Sequence, residues 1–344
     1  MYIDTLAREW KTLRAGPEIC LKSLYIGGGT PSLLSIGHWE RLYHKLFKNL
    51  PLDTGYEWTV ECNPESLTRD KMKLFSEMGV NRLSIGIQSL NDRELRFLNR
   101  PHTSKHIQDL FNYNEMDLFA SVALDVMYGL PGQNETTFRN SLKQILSFHC
   151  VTHLSVYELT IAPSTPFGRH QKRIPFPEED TINVMLDNLH EQTDAAGLVQ
   201  YEVSNFAKPG FECEHNIRYW QHQSYVGIGC AAHSYIHPKR FWNSSDVDEY
   251  MRMILQQEFD TENEEVLDTT AVASEMLFLG LRQRSGIDVE RFNELTGFEF
   301  ERWVNHCGLE KLLNEKQLVF RYPYYLPTRE SLYFADMMAK TLLP

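Results

Sequence analysis

The sequence predicts an α/β fold in which a parallel sheet with crossover helices is followed by a small helical or winged-helix-like domain. Between residue 23 and about residue 204, short apolar runs alternate with longer amphipathic stretches, the pattern of consecutive βα units. After Ser204 this periodicity ends, and a stretch rich in Gly, His and aromatic residues continues to His237. The length of 344 residues fits about two domains. We therefore expect one domain over residues 1–240 and a second, mostly helical domain over residues 241–344.

Six apolar runs have the length and character of buried strands. They cover residues 23–26, 57–62, 82–87, 121–127, 153–158 and 201–203. Helix signals fall between them: Ser35 can cap a helix that runs through Phe47, and Asn91 with Glu94 resembles the start of a capping box. Helix ends that need a left-handed residue are predicted at Gly79 and Gly197.

Helical periodicity resumes in the last third of the chain. Residues 246–257 and 269–281 have the pattern of helices, and residues 287–327 that of short helices followed by a hairpin over 317–325. This arrangement predicts a small appended domain of helical or winged-helix type.

Composition excludes several classes of protein. Hydrophobic residues make up 42% and charged residues 23%, the balance of a chain that can bury a large core. The net charge of −12 provides no overall positive field for nucleic acid or anionic lipid. No window approaches the roughly 18 consecutive apolar residues of a membrane span, and the N-terminus does not read as a signal peptide. We expect a cytoplasmic protein with no nucleic-acid partner and no membrane span.

The six cysteines are scattered along the chain. The closest two are Cys213 and Cys230, so no C-x-x-C or C-x-x-x-C pair exists. In a cytoplasmic chain of this size such cysteines are typically small buried hydrophobic residues rather than disulfide partners.

A glycine-rich segment follows the first predicted strand. Gly27, Gly28 and Gly29 precede Thr30, and three glycines allow backbone N–H groups to approach a ligand carboxylate or phosphate closely. The segment lacks the lysine of a Walker loop and does not match G-x-G-x-x-G. The alternative is a strand bulge beside a turn.

Polar residues also mark the ends of later strands, where ligand groups collect in parallel βα folds. Glu61 ends the second strand, Gln88 ends the third, Arg100 follows one helix later, and Asp125 lies in an otherwise apolar strand. A carboxylate there could accept hydrogen bonds from a ligand ammonium or ribose. Salt bridges or satisfied polar groups are the alternative for each residue alone. A further alternative is a hydrolase that uses Glu61 and Asp125 as an acid/base pair.

A second cluster of unusual residues lies in the non-periodic stretch. His215, Asn216, Tyr219 and Trp220 are followed by a Gly- and His-containing segment over 225–234. A histidine beside aromatic residues could ligate a metal or a porphyrin iron. Packing of a capping loop and a zinc site are the alternatives; the zinc ligands would be Cys213, His215, Cys230 and His233.

Several segments together resemble a known family. They are LYIGGGTPS at 24–32, ECNP at 61–64, NRLSIGIQS at 81–89, LDVMYGLPG at 124–132 and GIGCAAHS at 227–234. Their order and spacing are similar to those of the radical S-adenosylmethionine proteins of the oxygen-independent coproporphyrinogen III oxidase-like group, across nearly the whole chain. The segment HNIRYW at 215–220 resembles the H-N-x-x-Y-W segment of the heme-chaperone branch of that group rather than the true oxidase.

The resemblance implies roles for the residues singled out above. Gly28, Gly29 and Thr30 would receive the amino-acid end of S-adenosylmethionine (S-adenosyl-L-methionine). Contacts to this cofactor, or to a second copy of it, would come from Glu61, Gln88, Arg100 and Asp125. The heme-handling region would contain His215, Asn216, Tyr219 and Trp220, with His215 the candidate axial ligand.

The resemblance also implies a function and an alternative. The implied activity is binding of heme, a tetrapyrrole, and its delivery to a heme-accepting protein. The alternative is oxidative decarboxylation of coproporphyrinogen III by a full-length form of the chain.

One family feature is missing from the sequence. Members of the family carry a strand and a C-x-x-x-C-x-x-C loop before the glycine-rich segment, and three thiolates of that loop hold a [4Fe-4S] cluster; here only Cys20 precedes Gly27. We therefore expect a partial (β/α) barrel of the radical S-adenosylmethionine type that lacks its first strand, with residues 1–14 forming the helix after the missing loop. The sheet edge around Tyr25 would be unpaired, and radical chemistry is not expected from this chain alone.

Overall fold

The computed structural model describes residues 1–13, 20–161, 174–256 and 263–344. The predicted helix ends at Arg14 and Gln257 lie outside the described residues. A helix, α1, covers Tyr2–Leu13, in agreement with the helix expected at the start of the chain. Its buried Glu9 accepts hydrogen bonds from Tyr250 Oη at 2.6 Å and from the amide of Gly229 at 3.0 Å, so the helix is fixed to residues much later in the chain.

A seven-stranded sheet forms the centre of the N-terminal part of the chain. Its strands are β1 (Leu21–Ile26), β2 (Leu52–Cys62), β3 (Arg82–Gln88), β4 (Ser121–Tyr128), β5 (Val151–Glu158), β6 (Val199–Gln200) and β7 (Asn205–Ala207), in the order β1-β2-β3-β4-β5-β7-β6. Strands β1 to β5 are parallel neighbours. β1 is an edge strand that pairs, among the described strands, with β2 alone. This open parallel arrangement confirms the partial-barrel prediction.

The predicted sixth strand is wrong in its position, because the strands of this region cover residues 199–200 and 205–207. Residues 201–203 form the turn of a hairpin between β6 and β7, which pair with each other antiparallel, and β7 pairs antiparallel with β5. Glu202 in the turn forms an isolated bridge with Gln283, 81 positions later in the chain.

The crossover helices follow the predicted pattern. They are α2 (Ile36–Lys45), α3 (Arg69–Met78), α4 (Asp92–Phe97), α5 (Ser104–Phe111), α6 (Glu135–Leu146) and α7 (Glu179–Ala195). Ser35 caps α2 by accepting the amide N–H of His38, and Asn91 caps α4. Gly79 ends α3 with φ of 102°, which a residue with a Cβ adopts only with strain.

The two faces of the sheet differ in polarity because side chains alternate along each strand. One face carries apolar residues such as Trp58, Val60, Leu83 and Leu124, all buried against α2, α3, α5, α6 and α7. The opposite face, which we call the polar face, carries Tyr25, Glu61, Asp125 and their cross-strand neighbours. The hydrophobic effect therefore fixes the sheet through one face and leaves the other available for polar groups.

A short helix, two small sheets and six further helices complete the described part of the chain. Helix α8 (Glu214–Trp220) contacts β1. A three-stranded sheet contains β8 (His233–Ile236), β9 (Lys239–Trp242) and β10 (Glu264–Val266), and a second contains β11 (Ile287–Asp288), β12 (Leu318–Arg321) and β13 (Tyr324–Pro327). The later helices are α9 (Val247–Gln256), α10 (Thr269–Gly280), α11 (Val289–Thr296), α12 (Phe300–Trp303), α13 (His306–Asn314) and α14 (Ala335–Leu342).

The helices and hairpin predicted after residue 240 are present. A second hydrophobic core, which includes Leu277, Phe292 and Leu309, lies apart from the core beneath the large sheet. In the described part of the chain, no helix has the length and apolar character that crossing a membrane requires.

Candidate functional site

The glycine-rich loop after β1 folds over the carboxylate of Glu61. The amide of Gly28 donates a hydrogen bond to Glu61 Oε2 at 3.1 Å, and Gly28 and Gly29 have φ of 82° and 67°. A Cβ at Gly27 would lie 2.8 Å from Glu61 Cδ, so the carboxylate occupies the space that any larger residue would need. Thr30 Oγ1 accepts a hydrogen bond from Asn63 Nδ2 at 3.4 Å. The structure thus brings Gly28, Thr30 and Glu61 to one end of the sheet.

Asp125 lies on the same polar face, two strands away. Strand register pairs Glu61 with Ser84, and Gly86 with Asp125. Ser84 Oγ donates to Asp125 Oδ1 at 3.2 Å. Burial raises the pKa of Asp125, opposed by a hydrogen bond from Ser155 and by the charge of Arg82. A buried carboxylate with these partners is suited to accept a hydrogen bond from a cationic ligand.

Gln88 and Arg100 occupy different positions relative to these carboxylates. Gln88 is buried at the end of β3 with φ of 64°, beside a register shift in the pairing with β4. Arg100 is half-buried in the connection between α4 and α5, where its amide bonds to Leu95 O. No hydrogen bond or ion pair to described residues fixes the Arg100 guanidinium, so the structure does not join it to Glu61.

Tyr25 connects the Glu61 carboxylate to helix α8. Its hydroxyl donates to Glu61 Oε1 at 2.9 Å, and its ring stacks on the imidazole of His215 with centroids 5.0 Å apart and planes at 22°. Tyr25 is not among the ligand-site residues that the sequence predicts. Its register partner is Thr59, which lies two residues from both Glu57 and Glu61, and this alternation of polar residues is the signal that points to a shared face.

The first turn of α8 is anchored by Glu57 from inside the polar face. The Glu57 carboxylate accepts the amide N–H of Glu214 at 3.0 Å and that of His215 at 3.1 Å. These are free donors at a helix start, where a negative charge is favourable. Buried Arg82 lies beneath, with Nε 4.0 Å from Glu57 Oε2. Strand β2 therefore positions both Glu61 near the glycine loop and, through Glu57, the backbone of His215.

The imidazole of His215 is held through both ring nitrogens. Nδ1 is 3.0 Å from Ser23 Oγ on β1, and Nε2 is 3.1 Å from the hydroxyl of Tyr219. Burial, followed by the charges of Arg218 and Arg82, lowers the pKa of His215 to about 4. The ring is therefore neutral at physiological pH, the state in which a nitrogen lone pair can ligate a metal.

A cavity, which we call the β1 groove, is lined by residues of β1, α1 and α8. Its volume is about 460 Å³, within the range of about 300–1,000 Å³ found for small-molecule sites. Its lining includes Leu24, Tyr25, His215, Arg218, Tyr219 and Ile228. Arg218 donates to Gln223 Oε1 at 2.8 Å, while its buried Nε has no partner among the described residues. The groove therefore combines an apolar wall, a neutral imidazole and a cation.

The four residues proposed for the heme-handling region do not all face the β1 groove. His215 and Tyr219 are four positions apart on α8 and share its groove-facing side. Trp220 instead lines a separate cavity of about 360 Å³, together with His222, Met276 and Tyr324. Asn216 is half-buried and is not part of the groove lining. The helix thus divides the H-N-x-x-Y-W segment between two environments.

A zinc site or an iron-sulfur cluster would need several cysteines close together. Cys62 and Cys213 are buried, Cys20 and Cys307 are exposed, and Cys150 and Cys230 are half-buried. Across the described ranges, no three His, Cys, Asp or Glu side chains are grouped so as to hold a metal ion. The zinc set of Cys213, His215, Cys230 and His233 is therefore not assembled. The described residues likewise do not provide the three thiolates that a [4Fe-4S] cluster needs.

Two family models match separate parts of the chain. The model described as the Radical SAM superfamily matches residues 1–145, and the one described as the HemN C-terminal domain matches residues 267–334. The first match covers the glycine loop, Glu61, Gln88 and Asp125, and the second covers most of the second hydrophobic core.

Curated relatives match most of the chain. The heme chaperone HemW of Lactococcus lactis is 34% identical over 319 residues, which are 92% of this chain and 82% of that protein. HemW of Bacillus subtilis is 35% identical, covering 86% of this chain and 79% of that protein. The mitochondrial radical S-adenosyl methionine domain-containing protein 1 of Mus musculus is 31% identical, covering 99% of this chain and 80% of that protein.

A solved structure shares the fold. It is coproporphyrinogen III oxidase (HemN) from Escherichia coli, described as a radical SAM enzyme, with a TM-score of 0.84. The match covers 99% of this chain and 82% of that chain at 20% identity. At this identity the likeness supports the fold and not the activity.

Proposed function

The chain belongs to the HemW heme chaperone family of radical SAM proteins, and from this membership and the β1 groove we propose that it binds heme and delivers it to an acceptor protein. The observation that carries the proposal is the neutral imidazole of His215, which lines an apolar cavity beside aromatic rings. Imidazole is a common axial ligand of heme iron. The groove residues fit this group, which supplies an iron centre and a flat apolar ring when it is bound.

We propose that Nε2 of His215 is the iron-ligating atom. Nδ1 contacts Ser23 Oγ, so a proton on Nδ1 donated to this hydroxyl leaves the lone pair on Nε2. The current partner of Nε2 is the hydroxyl of Tyr219, whose side chain is 38% exposed and can turn away from the imidazole. Ser23 therefore orients the ligand, and Tyr219 covers it until heme enters.

The remaining groove residues complement the other parts of heme. Leu24 and Ile228 provide apolar contacts, and the rings of Tyr25 and Tyr225 provide flat aromatic surface. The unpartnered Nε of Arg218 is suited to a propionate carboxylate, because a buried guanidinium N–H gains most from a charged acceptor. We propose that Asn216 and Trp220 act outside the groove, on the side of α8 that faces the second domain.

We further propose that the end of the polar face binds S-adenosylmethionine. The positive-φ backbone at Gly28 and Gly29 leaves open space for a ligand, and Glu61 and Asp125 provide carboxylates for its ammonium group. Thr30, Gln88 and Arg100 complete the proposed contact set. The described residues do not fit a [4Fe-4S] cluster, so we assign no chemical step to one. We also propose a cytoplasmic location, which the six free, scattered cysteines support.

Hemin titration followed by absorbance tests the heme proposal. We expect the protein to bind hemin with a shifted Soret band, and His215→Ala to weaken binding at least about 10-fold, as loss of an axial ligand requires. His306→Ala is the matched control, because this histidine is 71% exposed on α13 and does not line the groove. Equal hemin affinity and spectra in His215→Ala and His306→Ala would refute the assignment.

Coproporphyrinogen III oxidation is the second candidate. It is supported by a shared fold at 20% identity and by the match to the HemN C-terminal domain model, and no feature of the described site favours it over heme binding. A protoporphyrinogen assay distinguishes the two, because a heme chaperone yields no such product.

A further inference from the structure

We propose that Tyr25 is a positioning residue that couples the Glu61 end of the polar face to the heme-binding imidazole of His215. A ligand that binds the Glu61 carboxylate therefore changes the affinity of the His215 site for heme. The inference rests on the proposed heme function and adds a connection between two sites that are otherwise separate.

The Tyr25 side chain contacts both Glu61 and His215. Its hydroxyl bonds to Glu61 Oε1 at 2.9 Å, and its ring stacks on His215 at 5.0 Å. Among the described residues, Tyr25 is the only side chain that is hydrogen-bonded or stacked to both partners. A displacement of the phenol therefore reaches the carboxylate and the imidazole together.

The Tyr25 hydroxyl needs a hydrogen-bond acceptor, which Glu61 provides in this structure. The Tyr25 hydroxyl points at Glu61 Oε1 and acts as the donor, because a phenol keeps its proton at neutral pH. A buried donor without an acceptor is unfavourable. If a cationic ligand displaced the hydroxyl from Glu61 Oε1, the hydroxyl would turn to another acceptor. The ring then has two arrangements, bound to Glu61 or released.

The orientation of the His215 imidazole depends on the position of the Tyr25 ring. The imidazole lies between Tyr25, Ser23 and Tyr219, and two of these three partners are on β1 only two residues apart. The backbone of His215 is fixed separately by Glu57. Release of the Tyr25 ring therefore loosens the side chain while the helix stays in place, which is the condition for a local change in ligand affinity.

A double-mutant cycle on hemin affinity tests this coupling. Tyr25→Phe keeps the stacked ring and removes the hydroxyl, and Glu61→Gln weakens the acceptor. We expect each single variant to weaken hemin binding about 3- to 10-fold and the double variant to be no weaker than either single variant, because both remove the same contact. We also expect both single variants to change the Soret maximum of bound hemin in the same direction, which a general loss of stability would not do.

A matched control separates the coupling from a general effect of losing a tyrosine hydroxyl. Tyr56 lies on β2 and donates to Gly79 O at 3.1 Å, away from Glu61 and His215. We expect Tyr56→Phe to leave hemin affinity and the Soret maximum unchanged.

The possible failures are distinguishable. If the unmodified protein does not bind hemin, the proposed function fails and the coupling fails with it. If the unmodified protein binds hemin through His215 but the two variants have additive effects, or Glu61→Gln has none, only the role of Tyr25 is refuted.

Discussion

The ring of Tyr25 stacks on the imidazole of His215 although the two residues belong to distant parts of the chain, on strand β1 and helix α8. Their centroids are 5.0 Å apart, and Ser23, on the same strand, bonds to the same imidazole. The edge strand of the sheet thus provides both the stacking surface and the hydrogen-bond partner of the proposed heme ligand.

Ser23→Ala is expected to weaken hemin binding about 10-fold. The hydroxyl of Ser23 fixes the orientation of the ring through Nδ1, and loss of such an outer partner lowers metal affinity by about 10- to 100-fold in other sites. Hemin titration measures the effect. Ser23→Thr keeps the hydroxyl and suits a strand, so it should retain most of the affinity. Equal affinities in the two variants would show that Ser23 does not orient the ligand.

The affinity for hemin is expected to stay constant as the pH falls from about 8 to 5. The pKa of His215 is about 4, below the ordinary value near 6.5, so protons compete with iron only when the pH approaches 4. The same lowered pKa means that His215 reduces the stability of the fold as pH falls from about 6.5 to 4, because the unfolded chain takes up the proton first. A Soret titration at fixed pH steps measures the hemin affinity. Loss of hemin binding with a midpoint near pH 6.5 would contradict the prediction.

Glu57→Ala is expected to lower the free energy of unfolding by about 3 kcal/mol. The change removes the acceptor of two amides at the start of α8 and leaves buried Arg82 without its carboxylate neighbour. Urea denaturation monitors the stability. Glu57→Gln keeps an oxygen acceptor for the helix and should lose less. If both variants were as stable as the parent, Glu57 would not anchor the helix.

Gly27→Ala is expected to destabilise the fold by about 1–3 kcal/mol. The added Cβ would lie 2.8 Å from Glu61 Cδ and push the carboxylate away from Tyr25 and Gly28. Gly37→Ala is the control, because Gly37 lies in α2 with open space around its Cβ position and should tolerate or gain from alanine. Thermal unfolding of both variants tests the prediction, and equal stabilities would contradict it.

The sequence was sufficient for most of the sheet because apolar runs and helix caps are local signals. The strands that begin at Arg82 and Ser121 start where they were predicted, and Ser35 caps its helix. The hairpin at β6 and β7 was missed because its strands are only two and three residues long, so their pairing depends on β5 rather than on a local pattern.

The site was only partly predictable for a similar reason. Glu61 and Asp125 stand out as charges at strand ends, whereas Tyr25 and Ser23 look like ordinary strand residues. Their importance comes from register, which pairs Ser23 with Glu57 and Tyr25 with Thr59, and from the approach of α8. Helical spacing, in contrast, does separate His215 and Tyr219 from Trp220 once the segment is known to be a helix.

The most direct test of the central claim is chemical rescue of the proposed iron ligand. His215→Gly removes the imidazole and leaves a space beside Tyr25 and Ser23 that free imidazole can fill. We predict that His215→Gly binds hemin weakly with an altered Soret band, and that added imidazole restores both the affinity and the spectrum of the parent protein. If the variant keeps the parent spectrum without imidazole, His215 is not the heme ligand in the β1 groove.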